Sequence, residues 1–275
     1  CSVIRTAVYE IIFMDKVPDS AACSQAVELV KRRNFGKLSG FVNGVLRSVA
    51  KGWQTVEMPE KNTPEYLSVR YSHPLWIVKM WLSKYDFETV GKICEANNCA
   101  PDVCICVNTL KTSAGELKKM LEEKGISVKE GIYEKNALHL KGISNVAEMQ
   151  EFKDGLFHVQ DESSMLAVDV LDPAANEKIL DVCAAPGGKS FYAAERMGGV
   201  GRVVSCDIYP HKTELISVTA DRLGLGIIET RLRDASVLNE DDREKYDRVI
   251  IDAPCSGLGI IRKKPDIKIN RTGED

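Results

Sequence analysis

The chain has 275 residues, 44% hydrophobic and 28% charged, with a formal net charge of −3 and an isoelectric point near 5.9. This is the composition of an ordinary soluble protein, long enough for two or three domains, and any nucleic-acid surface must be a local patch rather than a global charge. No apolar stretch approaches the roughly 20 residues of a membrane span, the start shows no signal peptide, and nine unevenly spaced cysteines read as reduced cytosolic thiols rather than a disulfide framework.

Residues 1–57 read as helices. Ile4, Ala7, Val8, Ile11 and Ile12 fall on one helical face, and Phe41, Val45, Leu46 and Val49 repeat the period. Residues 58–145 open with a polar linker containing Met58-Pro59 and Thr63-Pro64, then turn α+β. The amphipathic run 74–82 is expected as a helix whose aromatics pack inward rather than stack on RNA. A short buried strand follows at 103–108. Ser113-Ala114-Gly115-Glu116 is a capping box that opens a helix running to Lys124, and Gly125 stops it. Cys94, Cys99, Cys104 and Cys106 invite a metal reading. Zinc knuckles, however, present paired cysteines on tight turns, whereas Cys104 and Cys106 alternate along a strand, so no metal site is expected.

Residues 146–275 alternate strand and helix, with strands expected at 179–183, 202–207, 227–232 and 246–252 and helices at 190–196 and 210–223. This is the opening half of a doubly wound sheet, whose ligand site lies beyond the carboxyl ends of the strands. The first strand breaks into Cys183-Ala184-Ala185-Pro186-Gly187-Gly188-Lys189, a turn whose glycines let backbone approach a bound cofactor. It has neither the spacing of dinucleotide-binding loops nor that of phosphate loops. Asp207 closes the second strand, where a carboxylate can accept both hydroxyls of a ribose. Asp234 follows the third strand, and the fourth ends in Asp252-Ala253-Pro254-Cys255-Ser256. A lone strand-end aspartate is often a helix cap; three in register with a glycine turn point to a nucleoside pocket.

The segments Leu180 through Ser190 and Ile251 through Ser256 resemble the S-adenosylmethionine-binding and target-base loops of the RNA 5-methylcytosine methyltransferases, which modify cytosine in ribosomal and transfer RNA. Val159-Gln160-Asp161-Glu162-Ser163-Ser164 is similar to that family's Q-D-x-S-S segment, and Pro265-Asp266 to its R-x-x-P-D stretch. The run 38–47 resembles the V-N-x-x-L-R signature of the NusB-like domain at the amino end of the bacterial ribosomal enzymes, and 58–145 the small RNA-binding domain that precedes catalysis. The resemblance implies a multidomain chain: a partial helical NusB-like piece (1–57), an α+β RNA-binding domain (58–145) and an α/β Rossmann-like methyltransferase sheet, incomplete at its carboxyl end (146–275). It implies S-adenosylmethionine held by Cys183, Ala184, Ala185, Pro186, Gly187, Gly188, Lys189, Asp207, Asp234 and Asp252. The partner it implies is small-subunit ribosomal RNA, with no DNA and no membrane, bound by a cytoplasmic monomer.

The family's chemistry adds a cysteine thiolate to carbon 6 of cytosine, so that carbon 5 becomes enamine-like and accepts the methyl group; elimination then frees the enzyme. Cys255 resembles the helper cysteine that assists release, while the nucleophile stands in a later T-C-S segment that this sequence does not contain. The chain begins at Cys1 without a methionine and stops at Asp275, and is expected to be an internal fragment. The alternative makes Cys255 itself the nucleophile, as in the DNA 5-methylcytosine enzymes, although those read P-C-Q. Lys189 either reaches the reaction centre, as its family counterpart does, or is a solvated lysine at a helix start. Arg233-Asp234-Ala235 departs from the family's Gly-Asp-Ala. The basic run Arg262-Lys263-Lys264 is expected to contact phosphates.

Overall fold

The computed structural model describes residues 2–143 and 145–274; the two ends that motivate the fragment reading, Cys1 and Asp275, lie outside that set, as does Ser144. The chain divides into two compact units, Cys1–Cys94 and Glu95–Asp275. No helix among the described residues is long and apolar enough to cross a membrane.

The first unit is helical. α1 (Ser2–Phe13), α2 (Asp19–Arg32) and α3 (Ser39–Gly52) share a core of Ala7, Cys23, Ala26, Val30, Val42 and Leu46. The inner face of α3 is set by Val42 and Leu46, four residues apart and both buried. Phe41 is 63% exposed, which corrects the expected face by one position: a one-residue step rotates a side chain about 100° around the axis. α4 (Pro64–Tyr71) starts where the Thr63 hydroxyl accepts the Tyr66 N–H and proline fills the first turn. With α5 (Leu75–Leu82) and α6 (Phe87–Asn98) it buries Leu67, Val78, Val90 and Cys94, and Trp81 packs against them as an apolar wall.

The second unit begins with a small antiparallel sheet. β1 (Val103–Val107), α7 (Ala114–Glu123), β2 (Ser127–Glu130), β3 (Ala137–Lys141), α8 (Gln150–Lys153) and β4 (Phe157–Val159) follow in sequence, and the strands lie in the order β2-β3-β1-β4. Both halves of the Ser113/Glu116 capping box form, and Gly125 takes a positive φ of 79° just past α7. The edge strand β4 pairs with β1 although it lies past residue 145, so the small sheet extends beyond the expected boundary. Alternation along β1 sends Ile105 and Val107 into a core with Leu117, Leu121 and Phe157. Cys104 and Cys106 face the other side together and join a core with Met165, Phe191 and Tyr192.

That second core belongs equally to the elements that follow, α9 (Glu162–Leu171), β5 (Lys178–Asp181), α10 (Gly188–Arg196), β6 (Arg202–Asp207), α11 (Pro210–Leu223), β7 (Ile228–Leu232) and β8 (Arg248–Ile250), and the short α12 (Ile267–Asn270) lies outside it. The four strands are parallel in the order β7-β6-β5-β8, the doubly wound arrangement expected from the sequence. β5 and β8 are shorter than the apolar runs that announced them, ending at Asp181 and Ile250 where the chain turns into the two loops. Asn108, fully buried after β1, ties the two sheets: its amide donates to the Gly155 and Leu223 carbonyls at 3.0 and 2.8 Å and its oxygen accepts the Leu110 N–H.

Candidate functional site

The glycine turn at the end of β5 is shaped by what lies beneath it. Gly187 has φ +109°, and a Cβ there would stand 2.3 Å from the Phe191 ring, so only glycine fits. Gly188 opens α10, presenting the first-turn N–H groups and the positive end of the helix toward the carboxyl edge of the sheet. Pro186 is exposed and Ala184 buried, while Cys183, Gly188 and Lys189 are half-buried along the rim.

Three carboxylates surround this turn closely enough to raise the Cys183 thiol pKa, an effect led by burial and followed by Asp181, Asp207 and Asp252. The same effects disfavour the thiolate at Cys183. Asp207 is 6% exposed; its Oδ1 accepts the Tyr209 N–H at 3.1 Å and lies 3.6 Å from Lys212 Nζ. That bond uses one oxygen in a local turn and leaves the second oxygen of the same carboxylate for a diol. Asp234 is exposed, and its Oδ1 accepts both the backbone N–H and the hydroxyl of Ser236 at 2.9 and 2.7 Å. The Arg233 that replaces the family's glycine forms an ion pair with Asp242.

Lys189 joins the two loops. Its Nζ donates to Asp252 Oδ2 at 2.6 Å and to Ser164 Oγ at 3.4 Å, so the glycine turn, the fourth-strand loop and the Q-D-x-S-S segment meet at one ammonium group. The alternative of a solvated helix-start lysine does not hold, since its side chain is only 19% exposed. Cys255 lies exposed in the same loop as Asp252. The basic run also makes contacts within the chain. Arg262 donates to the Cys99 and Ala100 carbonyls at 3.1 and 3.2 Å, and Lys263 pairs with Asp161 at 2.5 Å, while Arg262, Lys263 and Lys264 all remain exposed. A recess of about 260 Å³ between β3 and this segment is lined by Asp102, His139, Asp161, Gly259, Arg262 and Lys263.

One site residue escaped the sequence reading. Asp181 ends β5 fully buried beneath the turn; the Ser190 hydroxyl donates to its Oδ2 at 2.8 Å, and Ser205 donates to Ser190 in turn. Burial raises its pKa to about 6, only partly offset by the Ser190 bond and by Lys189.

A parallel sheet with a rigid glycine turn at one strand end, acidic groups at the next ones and a lysine bridging to the fourth-strand loop defines a Rossmann-like methyltransferase domain. Residues 168–275 match the family described as 16S rRNA methyltransferase RsmB/F, residues 73–147 the RsmF/B-like ferredoxin-like domain and residues 1–51 the NusB family. A protein of Bacillus subtilis (strain 168) named probable ribosomal RNA small subunit methyltransferase B is 41% identical over 99% of this chain and 61% of its own length. The crystal structure of PH0851 superposes at a TM-score of 0.81 with 26% identity, covering 99% of this chain and 61% of that one. A methyltransferase homolog protein from Pyrococcus horikoshii gives a TM-score of 0.65 with 28% identity, over 76% and 66%. The chain spans about three fifths of the length of the curated relatives it matches. The residues present fit S-adenosylmethionine, the cofactor of this methyltransferase family: a turn closed to any Cβ at Gly187, a buried carboxylate at Asp207 and a thiol wall at Cys183.

Proposed function

We propose that this chain carries the NusB-like, RNA-binding and cofactor-binding portions of an enzyme that methylates carbon 5 of a cytosine in small-subunit ribosomal RNA. The observation that carries the reading is the 2.6 Å bond from Lys189 to Asp252, which holds the target-base loop against the cofactor turn. When bound, S-adenosylmethionine supplies the methyl group. Asp207 accepts the ribose hydroxyls, Asp234 faces the adenine side, and the 183–189 turn presents its backbone to the amino-acid end. Lys189 orients the Asp252 carboxylate and offers protons to the polar edge of the pyrimidine. Cys255, exposed beside Asp252, serves product release. The recess lined by His139, Asp161, Arg262 and Lys263 suits flanking nucleotides.

The enzyme acts as a cytoplasmic monomer. A transfer-RNA substrate is the competing reading, and the NusB match favours the ribosomal one, since the NusB-like domain marks the bacterial ribosomal enzymes. The test is transfer of tritiated methyl from S-adenosylmethionine to undermodified small-subunit RNA by the full-length protein, with undermodified transfer RNA in parallel. Label in the ribosomal RNA alone, located at carbon 5, is expected; label in transfer RNA alone would overturn the assignment. The 275 residues by themselves, which contain no Thr-Cys-Ser segment, are expected to bind cofactor without turnover.

A further inference from the structure

We propose that His158, Gln160 and Glu195 are positioning residues for the cofactor turn, forming an uncharged strut between the edge strand of the small sheet and α10. The inference rests on reading the glycine turn as the S-adenosylmethionine site. All three side chains are at least nine-tenths buried. The His158 Nε2–H donates to Gln160 Oε1 at 2.7 Å, which leaves Nδ1 as an acceptor 3.5 Å from Glu195 Oε1. The Cys106 thiol donates to Glu195 Oε2 at 3.8 Å. Burial drives the Glu195 pKa well above the usual carboxyl range and lowers that of His158 to about 4, so the glutamic acid keeps its proton and the imidazole stays neutral. Nδ1 and Glu195 Oε1 face each other at 3.5 Å, where a protonated carboxyl would be the donor that Nδ1 lacks, and the strut carries no net charge.

The strut bears on both glycines. The Gln160 side chain lies 3.3 Å from where a Gly188 Cβ would be. The His158 ring meets Phe191 edge-on at 5.5 Å, and Phe191 in turn fills the space under Gly187. A shift of β4 is thereby transmitted to the backbone that faces the cofactor. The donor atoms of Cys106, His158 and Glu195 also lie within 4.8 Å of one another, a spacing a metal ion could use. The strut is the better account because Gln160 and Phe191 connect the cluster directly to the turn.

The test uses the full-length protein, with S-adenosylhomocysteine binding followed by calorimetry and backbone amide exchange followed by mass spectrometry. Glu195→Gln, whose amide can donate to His158 while its oxygen accepts the thiol, is expected to keep wild-type affinity. Glu195→Leu and Gln160→Leu are expected to weaken binding by about tenfold or more, as buried groups lose their partners. Exchange in these two variants is expected to accelerate at residues 187–191 while residues 203–206 stay protected. Wild-type affinity in the leucine variants, or exchange that rises equally throughout, would overturn the proposal. Loss of binding in Glu195→Gln together with loss of a stoichiometric metal would replace it with a metal site. If the wild type bound no S-adenosylhomocysteine the cofactor reading would fall, and the exchange pattern at 187–191 would still decide the strut.

Discussion

Lys189 Nζ and Asp252 Oδ2 lie 2.6 Å apart, although 63 positions separate them in sequence, and this single bond closes the carboxyl edges of β5 and β8 around one point. Asp252 has a side chain 61% exposed, so the bond owes its order to the better-buried lysine. Lys189→Met, which keeps the aliphatic stem and removes the ammonium, should lower turnover of the full-length enzyme by roughly 10²-fold, as for loss of one preorganised polar group. Cofactor affinity should change little. Single-turnover methylation beside calorimetry separates the two; equal losses in both would show that Lys189 serves binding alone.

Asp207 is a second test of the pocket. Replacement by alanine should weaken S-adenosylmethionine binding by about 1.5 to 3 kcal/mol, the range for hydrogen bonds to a charged group. Because Asp207 Oδ1 also closes the turn at Tyr209, the variant's thermal midpoint should be recorded alongside. An unchanged dissociation constant would remove Asp207 from the site.

Cys255→Ala in the full-length enzyme should trap protein covalently on RNA, because a downstream cysteine can still add to carbon 6 while release is blocked. A slowly migrating, cofactor-dependent adduct on denaturing gels is the expected result. Loss of both adduct and methylation would make Cys255 the attacking thiol and revive the DNA-enzyme analogy.

Two buried groups beneath the turn give opposite pH responses. His158 has its pKa lowered from 6.5 to about 4, so its contribution to stability is present above pH 6.5 and is lost as pH falls toward 4. Asp181 has its pKa raised from 3.8 to about 6, so its contribution is present below pH 3.8 and is lost as pH rises through 6. Each shift corresponds to about 3 kcal/mol, and in the wild type they largely offset one another between pH 4 and 6.5. His158→Gln should therefore gain stability relative to wild type as pH falls through this window, and Asp181→Asn should gain as it rises. Urea unfolding at pH 4.5 and 7 measures both; parallel curves for wild type and variants would refute the assignment.

Much of this architecture was legible because punctuation coincided with pattern. The bounds of α11 fall where Pro210 and Gly224 put them, and the capping box at Ser113 forms as its spacing demands. The glycine turn showed itself as an apolar strand broken by residues that cannot continue it. What stayed hidden depends on partners distant in sequence. β4 is three residues long and becomes a strand only through pairing with β1. Asp181 reads as part of an apolar run, and only the fold shows its carboxyl turned inward. The charges of Arg262 and Lys263 are written in the sequence, but their engagement with Cys99, Ala100 and Asp161 is not.

Asn108 tests the junction of the two sheets. Asn108→Leu removes both donors to buried carbonyls and the acceptor for Leu110, and should destabilise the second unit by about 2 to 4 kcal/mol. Chemical denaturation should show one transition moving as a whole. Two separated transitions would mean that the sheets fold independently.

The common core of Cys104, Cys106, Met165, Phe191 and Tyr192 carries a practical consequence for anyone who cuts or recombines this protein. Chimeras that exchange the methyltransferase part at residue 146 would sever β4 from β1 and expose the apolar floor of the glycine turn, yielding aggregates rather than altered specificity. A crossover placed before residue 100 transplants both sheets together and keeps the small sheet with the cofactor site as one physical unit.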